Sequence, residues 1–165
     1  MKVAIVSDTN NNYDGMRLLL DRLRAGGARW LFHCGGLGSV DMVELLKSWQ
    51  LYIVRGKSER NWKAIEVALQ KARLQASLPT QMTVTLADRR IALCRGDDMK
   101  LVNQWSRSGE FNYIFHGHGL RRRNEKQGQT RIIYPGALSG PRYERHSGCL
   151  LDLATDEVKF IELSK

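Results

Sequence analysis

KVAIVSDTNNN, residues 2–12, carries a short apolar run straight into a polar turn of Ser, Asp, Thr and three Asn. An unbroken run of this length, rich in Val and Ile, reads as a buried strand over residues 2–7. The polar residues then form the loop at its carboxyl end. Outward from there the pattern changes period. Met16, Leu19, Leu20 and Leu23 recur at helical spacing within residues 14–25, and Gly26-Gly27 end that helix. A second strand covers 29–33 (RWLFH), and Ser39 is the expected N-cap of a helix through Lys47. A third strand covers 51–55 (LYIVR), followed by a helix over 61–75 closed by Pro79. Strands alternating with helices in this order predict a parallel sheet layered with helices.

The second half is strand-rich. Residues 82–87 (MTVTLA) and 90–94 (RIALC) flank Asp88-Arg89, a hairpin signal. A helix over 98–107, a strand at 112–116 and further strands at 121–126, 130–134, 147–153 and 157–163 follow. The expected architecture is α/β: a four-layer α/β/β/α sandwich of two mixed sheets flanked by helices, one domain over residues 1–165. Ligand sites in such folds lie beyond the carboxyl ends of parallel strands.

Composition excludes several classes. The chain has 165 residues, 42% hydrophobic and 26% charged, which is ordinary for a globular protein and argues against disorder and repeats. No apolar stretch approaches the ~20 residues of a membrane span. The N-terminal apolar run is too short for a signal sequence, so the expected compartment is the cytoplasm. Cys34, Cys94 and Cys149 are odd in number, lack CxxC spacing and lie in or beside apolar runs, which reads as three buried, reduced side chains. Lys and Arg outnumber Asp and Glu by 26 to 17, a net +9. That balance favours acidic partners: nucleic acid, a phosphorylated ligand or an acidic protein. The run Arg121-Arg122-Arg123, with Arg131, Arg142 and Arg145 beyond it, either grips a phosphate backbone or solvates a strand face. Trp30, Trp49, Trp62 and Trp105 read as core or subunit-interface packing before base stacking.

The strand-end loops carry the specific signal. In order they are SDTNNN (7–12), HCGG (33–36), RGKSE (55–59), CRGDD (94–98), HGHGL (116–120), then YPGA (134–137) and GPR (140–142). This series resembles the calcineurin-like metallophosphoesterases, in particular the small single-domain bacterial and archaeal phosphodiesterases. Their loops read SDTHGN, HCGD, VxGNCD, HGH, GHTH, NPGS and PR. The likeness runs in register over nearly the whole chain. It implies two divalent metals such as Mn, Zn, Fe or Ni, bridged by a carboxylate, that activate a water for in-line attack on a phosphoester.

Carried over residue by residue, that ligand set is largely gone. Asp8 stands for the first Asp, but Asn10 replaces its His partner. Gly36 replaces the bridging Asp, and Lys57 replaces the Asn ligand. Arg95 and Asp97 replace the two His of HGH. His118 keeps the first His of GHTH, while Leu120 replaces the second. Lys57 and Arg95 bring fixed positive charge toward positions meant for dications. At 4 Å and an effective dielectric of ~20, one such charge near a dication costs roughly 8 kcal/mol. The expectation is therefore a vestigial site without metal, in which Lys57 and Arg95 pair with Asp8 and Asp97. Lys57, Arg95 and His118 are its candidate anion-binding residues.

Three functions follow. The first is a pseudoenzyme with no catalytic residues that acts as a binding or scaffold module; a retromer subunit of this fold looks like a degenerate phosphoesterase that binds proteins. The second is a phosphodiesterase with a site rebuilt from Asp8, Asp97, Asp98, His116 and His118. The third is a nucleic-acid binder using the basic face. The partner, unknown protein or acidic ligand, is not named by the sequence, and a homo-oligomer is left open.

Overall fold

The computed structural model describes residues 1–119, 121–140 and 143–163. Strand β1 (Lys2–Val6) leads into helix α1 (Tyr13–Ala25), whose N-cap Asn12 accepts from the Gly15 N–H. Met16, Leu19, Leu20 and Leu23 form its buried stripe, and Gly26 closes it. Strand β2 (Trp30–His33) and strand β3 (Gln50–Ile53) follow, joined by Val40–Leu46. That segment is a 3-10 helix, not the expected α-helix, and Ser39 makes no side-chain cap. Val43 and Leu46, three apart, eclipse on its buried side, which is the 3-10 spacing.

Helix α2 (Trp62–Lys71) is shorter than the 61–75 expected, and Pro79 does not end it. Arg73 takes a left-handed φ of 55°, and the Arg73 and Leu74 N–H groups fold back on Gln70 and Leu69. This is the double cap usually built on glycine. Strands β4 (Gln81–Leu86) and β5 (Arg89–Cys94) form the expected hairpin. Its turn is Ala87-Asp88, both left-handed, one residue earlier than the sequence suggested. Helix α3 (Met99–Ser108) starts at Asp98, whose carboxylate accepts from the Lys100 N–H. Strands β6 (Tyr113–His116), β7 (Arg123–Gln127), β8 (Thr130–Tyr134), β9 (Ser147–Asp152) and β10 (Glu157–Glu162) complete the order.

The strands form two mixed five-stranded sheets, β10-β9-β1-β2-β3 and β4-β5-β6-β8-β7. β1, β2 and β3 are parallel in one, and β5, β6 and β8 in the other. Alternation along β1 explains the layering. Val3 and Ile5 face the second sheet through a core with Phe32, Phe115, Ile133 and Leu151, while Ala4 and Val6 face α1 and α2 through Leu19, Leu23 and Ile65. Val102 of α3 packs on the outer face of the second sheet with Ala92 and Ile114. Every central strand is thus buried on both faces, which is why they read as continuous apolar runs. Among the described residues no helix is long and apolar enough to cross a membrane.

Candidate functional site

The carboxyl ends of the six parallel strands converge on one edge of the sandwich, and backbone hydrogen bonds lace their loops together. Asp8 N–H donates to the Gly35 carbonyl and Asn10 N–H to that of Gly36, at 2.9 and 2.8 Å. The Asp8 carbonyl accepts from the Ser139 hydroxyl at 2.8 Å and from the Leu138 N–H at 3.3 Å. Asp8, Asn10, Asn11 and His118 all hold left-handed φ values, from 36° to 66°. Asn and Asp tolerate that region better than other non-glycine residues.

Arg95 lies across this edge. Its side chain packs on Gly35 and Gly56, where an added Cβ would come within 2.8 and 2.7 Å of it. The guanidinium donates to Asp8 Oδ1 from Nη2 at 3.0 Å and from Nε at 3.3 Å. Nη1 donates to Asp97 Oδ1 at 3.2 Å. Burial works against its charge, but the Asp8 carboxylate, with Asp97 and Glu59 behind it, more than offsets this and holds Arg95 above its ordinary pKa. The other Asp8 oxygen, Oδ2, accepts from the Ser7 hydroxyl and the His118 backbone N–H, both at 3.1 Å. A carboxylate has about four lone-pair sites, and here all are taken.

The remaining positions divide. Asn10 sits at the site and donates from Nδ2 to Ser139 Oγ at 2.7 Å. Gly36 approaches Asp8 so closely that a Cβ there would lie 2.9 Å from Asp8 Oδ1. Asp97 binds the Lys57 backbone N–H through Oδ2 at 2.7 Å. The Lys57 side chain behaves differently from Arg95. It is 66% exposed and its ammonium stands 3.9 Å from Asp98, a weak surface pair. So of the two cations expected over Asp8 and Asp97, only Arg95 takes that place. His118 is exposed and lines the cleft, of about 480 Å³, with Asp8, Asn10, Arg95 and Ser139. Leu120 and Arg142 lie outside the described residues.

Two buried histidines support the site from below. His33 Nδ1 accepts from the Gly35 N–H, so its proton sits on Nε2 and is donated to Thr9 Oγ1 at 3.1 Å. Burial, aided by the Arg95 cation and opposed by Glu59 and Asp8, lowers its pKa to about 4. His116 donates from Nδ1 to the Gly117 carbonyl at 2.8 Å, stacks on Tyr134, and is also lowered by burial. Of the rebuilt set, Asp8 and His118 line one cleft and Asp97 and Asp98 another, His116 is buried beneath, and among the described residues no three of them gather as a metal-holding group.

Glu59, to which the loop sequence assigns no role, clamps the loops together. Its carboxylate accepts the N–H groups of Gly36, Leu37 and Gly56 at 2.9–3.1 Å, tying the loops after β2 and β3. The spacing of Gly56 and Glu59, as in a capping box, was the available signal. Ser139, whose hydroxyl bridges Asn10 and the Asp8 carbonyl, had none.

Most of the basic run is paired internally, while Arg121 lies over the Tyr143 ring at 5.9 Å. Arg122 pairs with Glu144 and Glu162, Arg123 with Glu125, Arg131 with Asp156, and Arg145 with Glu162. Trp30 stacks on Tyr52 and Trp105 packs edge-on to Phe111, as core aromatics do.

The fold, the six loops and their order define the class as that of the phosphoesterase fold. Residues 1–156 match the calcineurin-like phosphoesterase superfamily domain, and the chain belongs to that superfamily. It is similar to the phosphodiesterase MJ0936 of Methanocaldococcus jannaschii, 19% identical over 85% of this chain and 86% of that protein. It also resembles in fold a structurally characterised novel archaeal phosphodiesterase (TM-score 0.89, 19% identity, 99% of this chain and 100% of that one). Vacuolar Protein Sorting 29 from Cryptosporidium parvum shares the fold as well (TM-score 0.67, 19% identity, 99% and 98% covered).

The residues present do not fit the superfamily's two metals. Among the described residues no three His, Cys, Asp or Glu side chains converge as a metal-holding group. More directly, Asp8 has no acceptor site left, and the group that fills it is a cation.

Proposed function

We propose that this chain is a phosphoesterase-fold protein in which an internal guanidinium stands where the superfamily holds its dinuclear centre, and that it works as a binding or scaffold module. The observation that carries this reading is the saturation of Asp8 by Arg95, Ser7 and His118. Arg95 is not deprotonated under any physiological condition, so it does not yield its place by titration. The superfamily chemistry requires a bridging carboxylate and open coordination positions. Gly36 supplies neither donor nor room for one. The sharing of this fold with a protein named for vacuolar sorting is consistent with a role in protein assembly. Three buried free cysteines suit a reducing compartment, and we place the protein in the cytoplasm.

The test is metal analysis of the purified chain together with hydrolysis of bis-p-nitrophenyl phosphate in excess manganese. The expected result is substoichiometric metal and no turnover above buffer. Turnover that disappears in Asp8→Ala or His118→Ala would establish a rebuilt phosphodiesterase site and end the scaffold reading.

A further inference from the structure

Away from the strand ends, a trough of about 580 Å³ runs between the start of α1, the 3-10 helix and α2. It is larger than the cleft at Asp8. Val43, Ala68 and Ala72 form its floor, and Tyr13 and Val40, 39% and 41% exposed, stand on its edges. Tyr13 and Val40 thus leave an apolar edge open along a trough that is otherwise lined by both charged and apolar side chains. The two long walls are helical, which suits a third helix laid between them.

Charge distinguishes the occupant. Lys63, Val67 and Lys71 recur every four residues and form one exposed ridge along α2, with Val67 46% exposed between the two ammonium groups. Among the described residues neither lysine has a carboxylate within ion-pair distance; Lys63 only approaches the Trp62 ring at 5.7 Å. Lys71 faces into the trough. On the opposite wall Glu44 is already paired with Lys47 at 2.5 Å, leaving Asp41 as the one lining carboxylate without such a partner.

We propose that this trough docks an acidic amphipathic helix of a partner protein. Its apolar face lies on Val43, Ala68 and Ala72. Its carboxylates meet Lys63 and Lys71, and a single basic residue meets Asp41. A second copy docked trough to trough suits it poorly, because it brings another +9 and sets a second lysine ridge against the first. The proposal deepens the binding-module reading by naming the surface and the partner's chemistry. It does not depend on the strand-end cleft.

The test uses a synthetic 18-residue helix with Leu at positions i, i+3, i+4 and i+7, one Lys, and Glu elsewhere, against the same helix with Glu and Lys exchanged. Binding is followed by fluorescence anisotropy, and its location by amide chemical shifts. The acidic helix is expected to bind with shifts confined to Tyr13, the 3-10 helix and α2. Val40→Asp, and Lys63→Glu combined with Lys71→Glu, are expected to weaken it at least tenfold without lowering the melting temperature. Equal binding of the exchanged helix, shifts elsewhere, or indifference to these variants overturns the proposal. So does a concentration-dependent dimer in sedimentation that the same variants abolish, since the occupant is then a second copy. Hydrolysis in the manganese assay sinks the scaffold reading and leaves the peptide result standing, so the two failures are separable.

Discussion

Arg95→Ala removes the cation shared by Asp8 and Asp97. It leaves Asp8, only 7% exposed, with a hydroxyl and one backbone N–H as its remaining donors. Removing one member of a buried ion pair costs about 3–5 kcal/mol, because the other charge stays desolvated. The Arg95 side chain keeps 20% of its surface exposed, which places the effect at the low end, about 3 kcal/mol. The Asp97 contact is more open and adds at most about 1 kcal/mol. In a domain of this size each kcal/mol moves the melting temperature by roughly 2–4 °C, so the expected fall is roughly 6–16 °C.

A double-mutant cycle in urea isolates the pair. Asp8→Asn keeps the shape and removes the charge, so adding it to Arg95→Ala should return about 2 kcal/mol or more. The second arm is metal. With the guanidinium gone, Asp8 and Asp97 face each other without a cation, and excess manganese should raise the melting temperature of Arg95→Ala but not of the wild type. A coupling energy below about 0.5 kcal/mol, in the range of an ordinary surface pair, would refute the reasoning. An equal manganese effect on both proteins would refute it too, since the site would then admit metal with Arg95 in place.

Three other outcomes follow from the same geometry. His33, lowered from 6.5 to about 4 by burial, keeps its full contribution above pH 6.5 and loses it as pH falls toward 4, because the unfolded chain takes the proton first; the loss is about 3 kcal/mol, and His33→Gln should flatten that part of a stability–pH curve. Glu59→Ala strips three backbone N–H groups of their acceptor and should cost about 3 kcal/mol by urea titration, whereas Lys57→Ala, on an exposed side chain, should stay within about 0.5 kcal/mol. Gly36→Asp, which restores the superfamily's bridging residue type, puts a Cβ 3.0 Å from Asp8 Cα at a φ of +74°; it should lose at least about 2 kcal/mol and take up no manganese in an equilibrium dialysis while Arg95 remains.

Much of the architecture was legible because the signals were local. Residues 2–7 announce a strand buried on both faces, and the loop after each parallel strand keeps a recognisable position even where its side chains have changed. What escaped was non-local or written in unusual residues. Arg73 stops α2 in a left-handed conformation normally signalled by glycine, so the helix was expected to run to 75. Lys57 and Arg95 read alike as cations at ligand positions. Asp97 separates them, binding the guanidinium of one and only the backbone N–H of the other, and the Lys57 side chain is left in solvent. Glu59 matters through N–H groups contributed by two different loops, one of them more than twenty residues away, and no spacing rule joins those.

The backbone of the site explains how such a replacement is tolerated. The loops are held by main-chain bonds, Asp8 to Gly35, Asn10 to Gly36, and Leu138 to Asp8, together with the Glu59 carboxylate. None of these requires a metal ligand. Main-chain bonds thus fix the left-handed residues at 8, 10 and 11, while the Asp8 carboxylate holds the N–H of the left-handed His118. A guanidinium supplies one positive charge and a fork of donors, enough to compensate two carboxylates. It offers no vacant orbital to a phosphoryl oxygen and no bound water of lowered pKa. On the proposed reading, then, Arg95 takes over the structural half of what two dications do and leaves the chemical half undone. The loops are held by their main-chain bonds and by Glu59, so on that reading the fold needs no metal to present the cleft and the trough as binding surfaces.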